Sequence, residues 1–174
     1  MSSHRLRCMN KSDLGQVLQW RNAFEVRRFM YTNHEIGLDE HCNWFAKVSD
    51  DPLVSLLIYE HHGHACGFVN ITCGSCQKIG DWGFYLSPNA HKGAGKSMGK
   101  KALGFAFDEL GLHKVCGQAL GFNERSVAFH KALGFTLEGR LRDQHFDGNS
   151  YHDIVCFGLL DDEWELKVED GSDE

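Results

Sequence analysis

The feature that most constrains this chain is a change of period in its middle. Leu53 to Tyr59, Ala65 to Thr72 and Ile79 to Leu86 are apolar or alternating runs separated by short turns. Strands bury alternate residues, so the three runs predict an antiparallel meander. Directly afterwards comes Ser87-Pro88-Asn89-Ala90-His91-Lys92-Gly93-Ala94-Gly95, and the spacing becomes that of a long helix ending at Leu110. Met98, Ala102, Phe105 and Ala106 fall on one stripe of that helix, widened by Leu103 and Leu110. Gly111 closes it as a C-terminal cap.

The flanking segments complete the order. His4 to Met9 alternates as a short strand. Ser12 is placed to cap a helix whose apolar face holds Leu14, Val17, Leu18 and Trp20. A second helix is expected over Leu38 to Val48, stopped by Asp50-Asp51-Pro52. His113 to Leu120 reads as a strand, and Asn123 caps a helix through Leu133 that Gly134 ends. Phe135 to Phe146 and Tyr151 to Leu160 form a hairpin around Asp147-Gly148-Asn149. The order β-α-α-β-β-β-α-β-α-β-β belongs to the α/β class, as an α+β mixed sheet with helices on its faces. The length of 174 residues suits one domain. That domain is placed at 1–167, followed by a frayed acidic tail at 168–174.

The formal charge of -6 is unevenly spread. Asp161 to Glu174 holds eight acids and one lysine, which leaves the first 160 residues near neutrality. From Trp82 to Phe107 there are four lysines (Lys92, Lys96, Lys100 and Lys101) and no acid. No apolar run approaches the ~18 residues of a membrane span, and Met1 to Arg7 lacks a signal-peptide core. Seven cysteines, an odd number, fit reduced thiols in a cytoplasmic protein. Cys73 and Cys76 have the CxxC spacing, and His61, His62, His64 and Cys66 lie nearby in sequence. The two groups fall at opposite ends of one strand, roughly 25 Å apart. No metal site is expected from them, and neither nucleic acid nor a membrane is expected as a partner.

The sharpest local string is Lys92-Gly93-Ala94-Gly95-Lys96-Ser97, which follows a strand and opens a helix. Glycines let backbone N–H groups approach a ligand, and a helix N-terminus favours negative charge, so this is a phosphate or pyrophosphate cradle. It is not a Walker loop, because Ala90 stands where that pattern needs its first glycine. Nor is it the dinucleotide fingerprint, because Met98 occupies the third glycine position.

In this context the chain resembles the GNAT superfamily of acetyl-CoA-dependent N-acetyltransferases. Their acetyl-CoA motif, [RQ]-x-x-G-x-[GA], corresponds to Lys92-x-x-Gly95-x-Ser97, with lysine and serine as departures. A second family motif corresponds to Asn123-Glu124-Arg125-Ser126, then Phe129-His130, then Leu133-Gly134-Phe135. The strings Leu18-Gln19-Trp20-Arg21-Asn22, Met30-Tyr31, His41 with Trp44-Phe45, Trp82 to Leu86 and Tyr151-His152-Asp153 narrow the resemblance. They are similar to the UDP-4-amino-4,6-dideoxy-N-acetyl-β-L-altrosamine N-acetyltransferases of pseudaminic acid biosynthesis, which serves flagellin glycosylation.

The resemblance implies a sheet of about seven strands in which the fourth splays from the fifth and admits the thioester. Backbone groups of Phe84, Tyr85 and Leu86 would meet the pantetheine. Lys92, Gly93, Gly95, Lys96 and Ser97 would hold the pyrophosphate, with Asn123, Ser126 and Phe129 on the facing helix. His130 stands where the family often has a tyrosine that protonates the leaving thiolate. Asp81 or Asn70 would serve the attacking amine as base or water holder. Arg21, Tyr31, His41, Thr72, Trp82 and Tyr85 would contact the UDP-sugar, arginine suiting phosphate oxygens. Acetyl-CoA is the one cosubstrate, and a homodimer is left open. Two other readings stand beside this one. The first is a ribosomal-protein N-terminal or polyamine N-acetyltransferase, although a polyamine site should show clustered carboxylates. The second is a non-catalytic acyl-CoA sensor that keeps the lysine-glycine turn without needing His130.

Overall fold

The computed structural model describes residues 3–170, the side chains of 167–170 excepted. The chain runs β1 (His4–Cys8), a 3-10 turn (Lys11–Asp13), α1 (Leu14–Asn22), α2 (Phe24–Arg27) and α3 (Leu38–Val48). The meander follows as β2 (Val54–His61), β3 (His64–Cys73) and β4 (Ile79–Leu86). Then come α4 (Ala94–Gly104), β5 (Lys114–Leu120), α5 (Glu124–Leu133), β6 (Thr136–Phe146), β7 (Tyr151–Leu160) and α6 (Asp161–Asp170). The strands form one seven-stranded sheet in the order β1-β2-β3-β4-β5-β7-β6.

Alternation along the strands builds two cores. On one face Leu57, Tyr59, Val69 and Ile71 meet Met98, Ala102, Leu103 and Ala106 of α4 and Leu133 of α5. On the other, Leu56, Ile58 and Phe68 meet Val17 and Trp20 of α1 and Phe45 of α3. All strand pairs are antiparallel except β4 with β5. That parallel pair registers only at Ile79↔Lys114, Gly80↔Val115 and Asp81↔Cys116. Both strands then continue, β4 paired with β3 and β5 with β7 but no longer with each other, and a wedge opens between them.

Several boundaries differ from the sequence expectation, each for a local reason. Ser12 is not the cap of α1. Asn10 caps the 3-10 turn instead, accepting from the Ser12 N–H at 2.9 Å, while the Asp13 carboxylate accepts from the Asn10 N–H at 2.8 Å. The long helix is not α-helical to Leu110. A π-helical turn at Phe105–Glu109 follows Gly104, and Leu110 N–H donates to Phe105 C=O at 3.0 Å. The one-turn α2 buries no residue, so it left no period to read. The acidic run opens α6, where carboxylates favour the helix N-terminus, and Trp164 packs at 6.1 Å on Phe107. The α6 backbone runs past the boundary expected at 167, to Asp170. The remaining residues of the expected tail, 171–174, lie outside the described residues. Among the described residues no helix is long and apolar enough to cross a membrane.

Arg7 fastens the start of the fold. Its guanidinium makes two 2.8 Å bonds to buried Asp13 and one of 2.6 Å to Glu60 of β2. These bonds hold the Asp13 carboxyl below its ordinary range. Replacing Asp13 by Ala removes both the capping acceptor and the charge partner. It should cost about 2–3 kcal/mol in urea unfolding, with acetyl-CoA affinity unchanged.

Candidate active site

The wedge exists because β4 and β5 part after Asp81 and Cys116. Beyond that point Trp82 to Leu86 and Gly117 to Leu120 keep backbone groups that no neighbouring strand satisfies, available to an inserted ligand. Two helix N-termini flank the opening. Gly93 caps α4 in the left-handed region at φ 88°, a conformation that a Cβ strains. Asn123 caps α5, its side chain accepting from the Ser126 N–H at 3.1 Å. Both ends present partial positive charge toward the same space.

A single cleft of about 1260 Å³ joins these parts. Phe84, Tyr85 and Leu86 line it from β4, Lys92, Gly93 and Gly95 from the turn, and Asn123, Ser126 and Phe129 from α5. Asn70, Asp81 and Trp82 line its floor, and Arg21, Tyr31 and His41 its far end. The volume exceeds that of a usual single-ligand pocket.

Four expected site residues are not brought to this cleft. Thr72 is exposed on β3, and Lys96 is exposed on α4. Ser97 turns its hydroxyl to Tyr59 behind the turn. His130 lies entirely in the core at 0% exposure. Its Nε2 accepts from Trp82 Nε1 at 3.1 Å, and its Nδ1–H donates to Ser126 C=O at 2.8 Å. Its ring stacks on Phe157 at 4.7 Å. Room for the ring comes from Gly117, where a Cβ would collide with the imidazole. With both nitrogens engaged away from the cleft, His130 is a positioning residue for Trp82 and α5 in this geometry. It therefore does not separate an enzyme from a non-catalytic acyl-CoA binder.

The far end is polar and partly desolvated. Arg21 donates from Nη2 to Thr32 C=O at 2.7 Å, while its buried Nη1 has no partner among the described residues. Burial lowers the pKa of Arg21 and raises that of the Tyr85 phenol beside it. His41 bonds to the Leu14 backbone, and its ring stacks at 5.2 Å on Trp44. Burial keeps the imidazole neutral to lower pH, and its buried Nε2 has no partner among the described residues. Glu25, Glu40, Gln118 and Arg125 also line the cleft, and none was anticipated. They come from separate elements, so no short string announces them.

Two outcomes test this geometry. Replacing His130 by Leu orphans the Trp82 N–H and should cost about 1–3 kcal/mol. Because burial lowers the His130 pKa, the wild-type protein should lose stability as pH falls below about 6.5. That acid-side loss should shrink in His130→Leu when melting temperature is followed against pH. Replacing Gly93 by Val strains the left-handed cap and should weaken acetyl-CoA binding about tenfold by calorimetry, with little change in acceptor binding.

Comparison with known proteins matches this geometry to a family. The profile of the acetyltransferase (GNAT) domain matches residues 4–136. An SPbeta prophage-derived uncharacterized N-acetyltransferase of Bacillus subtilis is 40% identical over 93 residues. That match covers 52% of this chain and spans about half the relative's length, 52%. A spermidine N(1)-acetyltransferase of Escherichia coli is 24% identical over 155 residues, 88% of this chain and 83% of its own length. The solved spermidine N-acetyltransferase from Vibrio cholerae, in complex with CoA and spermine, superposes with a TM-score of 0.87. It is 20% identical, with 95% of this chain and 99% of that one covered, and so shares the fold. These similarities include spermidine acetyltransferases and give no support to the narrower resemblance to the UDP-sugar enzymes. The wedge between two parting strands and the glycine-capped helix beside it agree with the profile match over most of the chain, which establishes that it belongs to the acetyltransferase (GNAT) domain family.

Proposed function

We propose that the protein transfers an acetyl group from acetyl-CoA to the primary amine of a small acceptor that carries its own anionic group, of the UDP-linked amino-sugar class. The observation that carries the acceptor class is the buried Arg21 Nη1 at the far end of the cleft, which has no partner among the described residues. A desolvated guanidinium N–H needs a hydrogen-bond acceptor, and phosphate oxygens supply one bidentately. His41 Nε2 needs a donor, which a sugar hydroxyl or a uracil N–H supplies. Trp44 and Tyr85 offer flat faces beside both groups.

A ternary complex in the cleft places amine and thioester in reach. Asp81 is the proposed base, on the floor where the strands part, with Asn70 facing the same cleft to hold a water. The ammonium of the acceptor loses its proton to that carboxylate, and the free amine attacks the thioester carbon. Unpaired backbone N–H groups of Trp82 to Leu86 stabilise the oxyanion. Collapse gives the amide, and the proton on the attacking nitrogen neutralises the departing thiolate. None of the cysteines is needed.

A polyamine acceptor is the second reading. Glu25, Glu40 and Asp81 all line this cleft, a set of carboxylates that the sequence did not reveal, and relatives are named spermidine acetyltransferases. Glu40 is already engaged by His34 at 3.1 Å. A protonated polyamine, with only N–H donors, would leave Arg21 Nη1 without an acceptor. Release of CoA thiol should therefore be followed with acetyl-CoA and either a UDP-linked 4-amino-4,6-dideoxy sugar or spermidine. Turnover is expected with the sugar nucleotide, and turnover on spermidine alone would sink this reading. Arg21→Leu should raise the KM for the sugar nucleotide about tenfold or more, leaving the KM for acetyl-CoA unchanged. Asp81→Asn should lower kcat/KM by roughly 10²–10⁴-fold.

A further inference from the structure

Three imidazoles meet at one edge of the sheet, beside the cleft that His91 also lines. His4 is the first residue of β1 and His61 the last of β2, and the two stand directly opposite in the antiparallel register. His91 reaches them from the turn between β4 and α4, just before Lys92 and Gly93. The His4 and His61 rings lie 4.6 Å apart, and the His61 and His91 rings 3.9 Å apart. One ring nitrogen from each of the three lies within 4.8 Å of the others. We propose that His4, His61 and His91 form a site for one divalent transition metal of the zinc type, which clamps the acetyl-CoA turn to the β1–β2 edge.

The spacing is near what such an ion needs. Zinc–nitrogen bonds of about 2.0–2.1 Å in a tetrahedron set ligand nitrogens about 3.4 Å apart. The rings are stacked, at 8° for His4 with His61 and 30° for His61 with His91, and rotation of these half-buried side chains would turn their nitrogens onto one ion. Backbone structure already fixes two of them. The strand pair holds His4 beside His61, and His62 N–H donates to Ser3 C=O at 2.8 Å to extend that pairing.

An outer shell is also present. The hydroxyl of fully buried Tyr59 stands 2.6 Å from His4 Nδ1, the kind of contact that orients a ligating imidazole. Tyr59 also bonds to Ser97 on α4, so the shell leads into the helix that the turn opens. A set of three imidazoles selects zinc, nickel or copper over calcium or magnesium, which prefer oxygen. Three protein ligands leave a fourth position for water. The sequence could not show this set, because His61 finds its partners on β1 and before α4 rather than in the adjacent histidines and cysteines.

The test uses the untagged full chain, stripped with a chelator and dialysed, then titrated separately with Zn²⁺ and Co²⁺. One equivalent of Zn²⁺ should bind and raise the melting temperature, since a ligand of the folded state stabilises it. Co²⁺ should show the visible bands of a four-coordinate site with no thiolate charge-transfer band. His61→Ala and His91→Ala should each weaken Zn²⁺ binding by roughly 100-fold or more, and Tyr59→Phe by about 10-fold. The proposal is overturned by equal Zn²⁺ binding in wild type and both alanine variants, by a thiolate band with Co²⁺, or by no stoichiometric binding at all.

Discussion

The structure turns on one broken pairing. β4 and β5 share three registered residue pairs and then separate, although both strands continue. Separation leaves backbone N–H and C=O groups without ladder partners, a cost that a strand pair does not normally bear. A linear ligand rich in amides repays it by lying between the strands. The same separation lets the N-termini of α4 and α5 line one cleft, so the unsatisfied backbone and the positive helix ends suit a single anionic ligand. The rest of the sheet is continuous, and its two cores are well filled on either face.

Trp82 and His130 form the floor beneath the opening. The indole packs against Phe84 at 4.9 Å and Phe135 at 5.2 Å, and its N–H is held by His130. His130 in turn holds the Ser126 carbonyl near the start of α5. A buried polar pair of this kind is favourable only when every donor and acceptor is used. Here the Trp82 N–H and both imidazole nitrogens are used. The imidazole is thereby fixed in one tautomer, with the proton on Nδ1.

Much of this was legible in the sequence, and the limits have physical causes. The meander, the glycine turn and the cap at Asn123 are local signals, and β4 and α3 fall at the bounds read from the sequence. Lys92, Gly93 and Gly95 line the cleft together because they sit on one string, whereas Lys96 and Ser97 of the same string do not reach it. His130 was misread because a histidine between Phe129 and Leu133 looks the same whether it faces the cleft or the core. Only the three-dimensional placement of Trp82 and Gly117 decides between them. The carboxylates Glu25, Glu40 and Asp81 come from α2, α3 and β4, and no spacing rule links them.

The bond from Trp82 to His130 also provides a gauge. The indole proton is buried and already committed to a lone pair, so it reaches water only when β4 moves off α5. Its rate of exchange with deuterium then measures how often the base of the wedge opens. A single resonance would report whether an occupied cleft is a stiffer one, without any label placed in the cleft itself.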